Sequence, residues 1–290
     1  MVRVCRSRGG PLRAGEGDAD AALDRDEVRV LVDHLFVRTG IDFRRYAQRS
    51  LRRRLHHLMM QDGIATVAEL RARAAGDAAA RQLAERLCVK VTTMFRDPGA
   101  WAALRDAVIP SLRSLPALRV WHAGCATGEE AYSLAILLRE EGLLRRARIY
   151  ATDVAEGALD RARAASYPLE AIPEFTRNYL RAGGAGAFSA YYTASAEGAV
   201  LSDGLRRAIV FSRHNLATDA SFNEFHLVLC RNVLIYFGES LQEHAHELLW
   251  RSLAPAGVLA LGQREIVPPH LDRGRYERLD PEQKLYRRIR

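Results

Sequence analysis

The 290-residue chain has little of what would mark a metalloprotein, a disulfide scaffold or a membrane protein. Its four cysteines, Cys5, Cys88, Cys125 and Cys230, lie far apart and form no Cys-x-x-Cys pair, which argues for free thiols in a reducing compartment. The nine histidines include no His-Glu-x-x-His, and His244 and His246, two residues apart, would point in different directions on a helix. No metal site is expected. No apolar run reaches the roughly 18 residues of a membrane span, and the first residues lack the apolar core of a signal peptide, so the expected location is cytoplasmic with no membrane insertion. Lysine is scarce as well: nearly all the positive charge is arginine, and Lys+Arg 43 against Asp+Glu 35 leaves a formal net charge of +8. That excess suits an acidic partner, whether nucleic acid, anionic lipid or protein surface, and charge alone does not choose among them.

What is present is an ordinary globular composition, 48% hydrophobic and 27% charged, in a chain long enough for one large or two smaller domains. Residues 1–22 mix Gly, Arg and small side chains without periodicity, which predicts a disordered lead-in. Over 23–107 the pattern is helical. "DEVRVLVDHLFVRTG" and "FRRYAQRSLRRRLHHLMMQDG" each end in glycine, and "TVAELRARAAGD" opens with Thr66 as a cap and Glu69 three residues later. Over 108–290 short β-type runs alternate with helices, which predicts a mostly parallel α/β sheet. Residues 186–212 interrupt that rhythm with turn-broken β-type runs, read as a small antiparallel insert.

In such sheets ligands sit beyond the carboxyl ends of the strands. After "LRVWHAG" come Gly124 and Gly128, which permit tight turns, then Glu129 and Glu130 at a helix start. Two carboxylates there disfavour a phosphate ligand and favour a cationic or hydroxyl-bearing one; an ordinary capped turn gives the same pattern. "RIYATD" ends in Asp153, placed either to accept from ribose hydroxyls or to cap the next helix. "AIVFSRHNL" ends in Asn215 and Leu216, suited to an adenine edge and face. In "FHLVLCRNVLIYF", Arg231 and Asn232 stand in an apolar run where an unpaired guanidinium would cost several kcal/mol, so the strand must stop at Cys230 and release both at the ligand edge.

The segments "VTTMFRDP", "HAGCATGEEAYSLA", "YATDVAEGAL", "FSRHNL" and "LVLCRNVLIYF" occur in an order and spacing that resembles the CheR-type glutamate O-methyltransferases of chemotaxis receptors. The resemblance runs from about residue 30 to the C-terminus. It implies an N-terminal all-helical domain and a Rossmann-like S-adenosylmethionine-dependent methyltransferase sheet with a small antiparallel β-subdomain insert. Carried over by position, Thr92, Arg96, Glu129, Asp153, Asn215, Leu216, Arg231 and Asn232 would hold S-adenosyl-L-methionine, with S-adenosyl-L-homocysteine as product. Arg96 and Tyr236 would lie nearest the transferred methyl, and Glu129 would face the cofactor's ammonium. Lys90 stands where relatives often carry a cofactor-contacting Asn, and Met94 replaces an aromatic.

The implied substrate is the acidic methylation helices of a chemoreceptor, met by a monomer. On "RRYAQRSLRRRLHH", 100° per residue places Arg45, Arg49, Arg52 and Arg53 on one stripe and Ala47, Leu51, Leu55 and Leu58 on the opposite one, so the basic stripe is expected to dock there. Two other readings stand beside this one. A nucleic-acid methyltransferase on the same sheet would use the charge, but an Asn-Pro-Pro-Tyr type signature is missing and no aromatic-basic stacking platform is visible, so no nucleic-acid partner is expected. A non-catalytic S-adenosylmethionine-binding signalling module would not need Arg96 and Tyr236 intact.

Overall fold

The computed structural model describes residues 23–88, 92–196 and 198–289. The expected lead-in over 1–22, Cys5 within it, and Lys90 lie outside the described residues. Four helices come first: α1 (Arg25–Thr39), α2 (Gln48–Asp62), α3 (Val67–Arg73) and α4 (Asp77–Leu87). Gly40 and Gly63 close α1 and α2 in the left-handed conformation, at φ 72° and 63°, where a Cβ would be strained. Thr66 caps α3 by accepting from Glu69 N at 3.1 Å, and the Glu69 carboxylate returns to Ala65 N at 3.2 Å. The apolar faces of these helices meet in a core of their own, from Leu23 to Leu87.

The helical domain expected to reach residue 107 therefore ends earlier as a packing unit. Helix α5 (Pro98–Ala103) passes through a π turn, Leu104–Val108, into α6 (Ile109–Leu112), and this stretch buries Trp101, Leu104, Val108 and Leu112 against the sheet. Pro110 has no N–H and its ring crowds the preceding turn, so the helix widens and Ile109 N bonds to Leu104 O. Helical periodicity is the same on both sides of the junction; only packing shows which core each apolar face joins.

The rest of the chain alternates β1 (Leu118–Ala123), α7 (Glu129–Glu140), β2 (Ala147–Asp153), α8 (Glu156–Ala164), β3 (Ser166–Tyr167), α9 (Ile172–Arg181), β4 (Tyr192–Ser195), β5 (Gly198–Leu201), α10 (Asp203–Arg206), β6 (Ile209–Arg213), β7 (Phe225–Cys230), α11 (Glu239–Arg251), β8 (Leu253–Leu261), α12 (Pro269–Asp272), β9 (Tyr276–Asp280) and β10 (Leu285–Arg288). The main sheet runs β6-β2-β1-β7-β8-β10-β9, parallel as far as β8 and antiparallel beyond. Val120, Leu227 and Leu229 pack beneath α7 on one face, and Trp121 and Val228 beneath α11 on the other. From β1 the chain moves outward to β2 and β6, then returns to β7 on the other side of β1. That reversal opens a crevice at the carboxyl ends of β1 and β7.

The insert differs from its expected bounds of 186–212. Its small sheet has the order β3-β5-β4, so one strand comes from Ser166–Tyr167, well upstream, while 209–213 belongs to the main sheet as β6. A two-residue strand carries too short an alternation to be read from sequence.

Candidate active site

One cavity lies over the ends of β6, β2, β1 and β7, and the helical domain forms its outer wall through Tyr46, Arg54 and Cys88. The two parts are joined at this mouth. Ala47 N donates to Tyr236 O at 2.9 Å, Gly238 N to Arg45 O at 2.8 Å, and Asn215 Nδ2 to Gly40 O at 3.2 Å. The Arg54 guanidinium stacks over the Tyr236 ring at 4.1 Å while donating to Leu87 O at 2.9 Å. Burial lowers the Arg54 pKa.

Backbone strain gathers around this cavity. Phe95, Asp97, Ala126 and Asn232 are non-glycine residues with φ of 52°, 52°, 47° and 59°, each costing on the order of 1–3 kcal/mol unless its surroundings enforce it. The enforcing bonds are visible: Phe95 N donates to Ser133 Oγ at 2.8 Å, and Ala126 N to Asp153 Oδ2 at 2.8 Å. Gly124, at φ 74°, has no room for a side chain, since a Cβ would stand 2.4 Å from Val233 Cγ2.

Most of the residues singled out in the sequence come together here. Thr92, Arg96, Asp153, Asn215, Leu216, Arg231, Asn232 and Tyr236 all line the cavity. Asp153 is oriented by Ala126 N and by Ala155 N at 3.0 Å. The Asn215 amide is used to build its own turn, accepting from Ala217 N at 3.0 Å as well as reaching Gly40. Asn232 Oδ1 is buried with no hydrogen-bond partner among the described residues, an unmatched acceptor on a residue that lines the cavity.

Arg231 answers the problem posed by its apolar run. Its side chain is 1% exposed and both terminal nitrogens are engaged, with Glu130 Oε2 at 2.8 Å, Asp97 Oδ2 at 3.0 Å and the Arg96 carbonyl at 3.1 Å, while Nε has no hydrogen-bond partner among the described residues. It ties α7 to the 96–97 segment and so fixes where Arg96 stands. Burial pushes the Glu130 carboxyl up, but Arg231, His122 and Arg96 together outweigh it and hold the group below its usual value.

Two expectations need correction. Glu129, expected to meet the cofactor, is not among the residues lining the cavity; its carboxylate turns to the Thr127 hydroxyl at 2.7 Å, and burial pushes its pKa to about 7. Glu130 lines the cavity instead, because adjacent helical positions point about 100° apart and only one of the pair can face it. The docking stripe is also broken. Arg49 and Arg53 are exposed on α2, but Arg52 is buried and donates to Leu23 O, because the chain entering α1 folds over it. Arg45 sits in the turn before α2, where helical angles do not apply, and donates to Ser240 O at 2.9 Å.

Sequence reasoning also missed Arg54, His122 and Glu265. Glu265, 4% exposed, accepts four backbone N–H groups: Asn232 and Gly262 on Oε2 at 2.8 and 2.7 Å, Val233 and Leu234 on Oε1 at 2.8 and 2.7 Å. It pins the left-handed turn that carries Asn232 toward the cavity. Burial pushes its pKa up, against the pull of those four donors. Cys125 and Cys230 are buried, which pushes both thiols well above the usual range and removes them as nucleophiles. Among the described residues no His, Cys, Asp and Glu cluster could hold a metal ion, and no helix is long and apolar enough to cross a membrane.

Residues 90–280 match the SAM-binding domain of the CheR methyltransferases, and residues 26–92 match the all-alpha domain of the same proteins. The chain belongs to the CheR methyltransferase family. A Pseudomonas putida protein named "Putative methyltransferase Cher3" is 43% identical over 90% of this chain and 96% of its own length. The chemotaxis protein methyltransferase of Listeria innocua is 32% identical over 81% of this chain and 88% of its own. Chemotaxis protein methyltransferase 1 of Pseudomonas aeruginosa is 30% identical over 73% and 80% respectively. This CheR-family chain is a SAM-dependent methyltransferase with the expected all-helical first domain, main sheet and separate antiparallel sheet.

Proposed function

We propose that the chain transfers a methyl group from S-adenosyl-L-methionine to glutamate side-chain carboxylates on the acidic methylation helices of a chemoreceptor, releasing S-adenosyl-L-homocysteine. The observation that carries this reading is the cavity itself, where Asp153, Glu130 and Asn232 stand beside cationic Arg96 and Arg54 and the phenol of Tyr236. The donor set fits the cofactor. Carboxylates suit ribose hydroxyls and an ammonium, the unmatched Asn232 Oδ1 suits a donor, and the Gly124 turn admits a ligand close to the backbone. When bound, S-adenosyl-L-methionine supplies an electrophilic methyl on a sulfonium.

A glutamate with an ordinary pKa near 4.3 is already an anion at pH 7 and needs no base. What the protein must add is placement, and holding two reactants in line removes on the order of 7–11 kcal/mol of barrier. Asp153 would hold the ribose, and Leu216 would face the adenine. Arg96, fixed through its carbonyl by Arg231, clamps the spectator oxygen of the substrate carboxylate and leaves the other oxygen free to attack. Tyr236, steadied by Arg54, stands at the same mouth. The exposed Arg49 and Arg53 on α2 attract the acidic receptor surface.

The test is to incubate chemoreceptor-bearing membranes with purified protein and methyl-labelled cofactor, then treat them with alkali. Carboxyl methyl esters release volatile labelled methanol. Label that stays on the substrate through alkali belongs to methylated amines or bases and contradicts the proposal.

A further inference from the structure

At the end of β1, His122 lines the cavity and is 2% exposed. Both ring nitrogens are buried, and neither has a hydrogen-bond partner among the described residues. Nε2 stands 3.7 Å from Glu130 Oε2, beyond hydrogen-bond distance. Apart from that long contact to Glu130, an imidazole buried with neither nitrogen hydrogen-bonded is costly to keep unless something else satisfies it.

Its place in the sheet says what that something is. Asp153 ends β2 and Asn215 lies just beyond β6, while His122 is the penultimate residue of β1 and Arg231 follows β7, farther along the same row of strand ends. A cofactor lying across that row with its adenosine over β6 and β2 brings its amino-acid end over β1 and β7. That end carries an ammonium and a carboxylate. Glu130, paired with Arg231, is one acceptor for the ammonium, and the imidazole of His122, which offers one acceptor nitrogen when neutral, is a second beside it. We propose that His122 binds the amino-acid end of the cofactor, accepting from its ammonium alongside Glu130. This rests on the cofactor reading above and adds a contact that "LRVWHAG" gave no reason to suspect.

Two ligands isolate the contact: S-adenosyl-L-homocysteine, and 5′-methylthioadenosine, which keeps the adenosine and sulfur but lacks the amino-acid end. Calorimetric titration of the full chain should show His122→Ala weakening the first by about ten- to a hundredfold and the second by less than about twofold, the loss of one hydrogen bond to a charged group. Equal losses for both ligands would reduce His122 to a wall of the cavity, and unchanged homocysteine-ligand affinity would remove it from the site. Should the alanine variant fail to fold, 15N spectra of the wild-type histidine rings decide. The His122 nitrogens must shift with S-adenosyl-L-homocysteine and not with methylthioadenosine, and an equal response to both overturns the proposal. Binding of neither ligand to the wild type would instead defeat the cofactor reading on which His122 depends.

Discussion

Replacing Glu265 by glutamine keeps the size and removes one acceptor. The carboxylate receives two N–H groups on each oxygen, from Val233 and Leu234 on one and from Asn232 and Gly262 on the other. An amide retains one oxygen and turns the other into a donor facing two donors. Two backbone N–H groups then lose their partners, and at 1–3 kcal/mol for each buried orphan the variant should lose about 2–6 kcal/mol of stability. There is no easy escape for the amide, because Gly262 already packs so closely that a Cβ there would meet Asn232 N at 2.7 Å. The turn can relieve the clash by leaving its left-handed conformation, which carries Asn232 away from the cavity. Urea unfolding and S-adenosyl-L-homocysteine titration should therefore both register the change. A Glu265→Gln protein within 0.5 kcal/mol (roughly the scatter of surface substitutions) and with unaltered affinity would refute the reasoning.

Other perturbations reach other parts of the account. Glu129 binds its proton to about pH 7 in the folded chain against an ordinary 4.5, so the folded state holds more protons between those values and stability falls as pH rises through that window, by about 3 kcal/mol. Glu129→Gln should flatten that part of the stability profile between pH 5 and 8; an unchanged slope assigns it elsewhere. Arg231→Met strands Glu130 and Asp97 without their cation and should destabilise the protein by about 3–5 kcal/mol in chemical unfolding, with part of the loss recovered when Glu130→Gln is added. A loss under about 1 kcal/mol would contradict the buried network. Reversing Arg49 and Arg53 to Glu should slow receptor methylation and blunt its salt dependence without changing cofactor affinity, and unchanged salt dependence would remove α2 from docking.

Much of this architecture was legible because its signals are local. Alternating β-type runs and helices gave the strands that carry the cavity, glycine and threonine marked helix ends, and Asp153 and Asn232 fell at strand termini where ligands bind. What escaped depends on pairing across long separations. Glu265 is 33 residues from Asn232, and nothing in "GQREI" announces four backbone donors waiting for it. Arg54 is one of three consecutive arginines, and only packing against Tyr236 separates it from the exposed Arg53 beside it. Arg52 has the helical angle of a surface residue and is buried by chain from before α1. The choice between Glu129 and Glu130 turned on a rotation of one residue, which a helix start with two carboxylates leaves open. Strand β3 pairs with β5 from across α9, too short and too distant to show as a pattern.

The most direct measurement is calorimetric titration of the purified chain with S-adenosyl-L-homocysteine, repeated on Asp153→Ala. Saturable one-to-one binding by the wild type, sharply weakened in the variant, is the expected result. A wild-type protein that takes up no ligand, or a variant that binds as tightly as the parent, would mean that the cavity at the strand ends does not hold the cofactor.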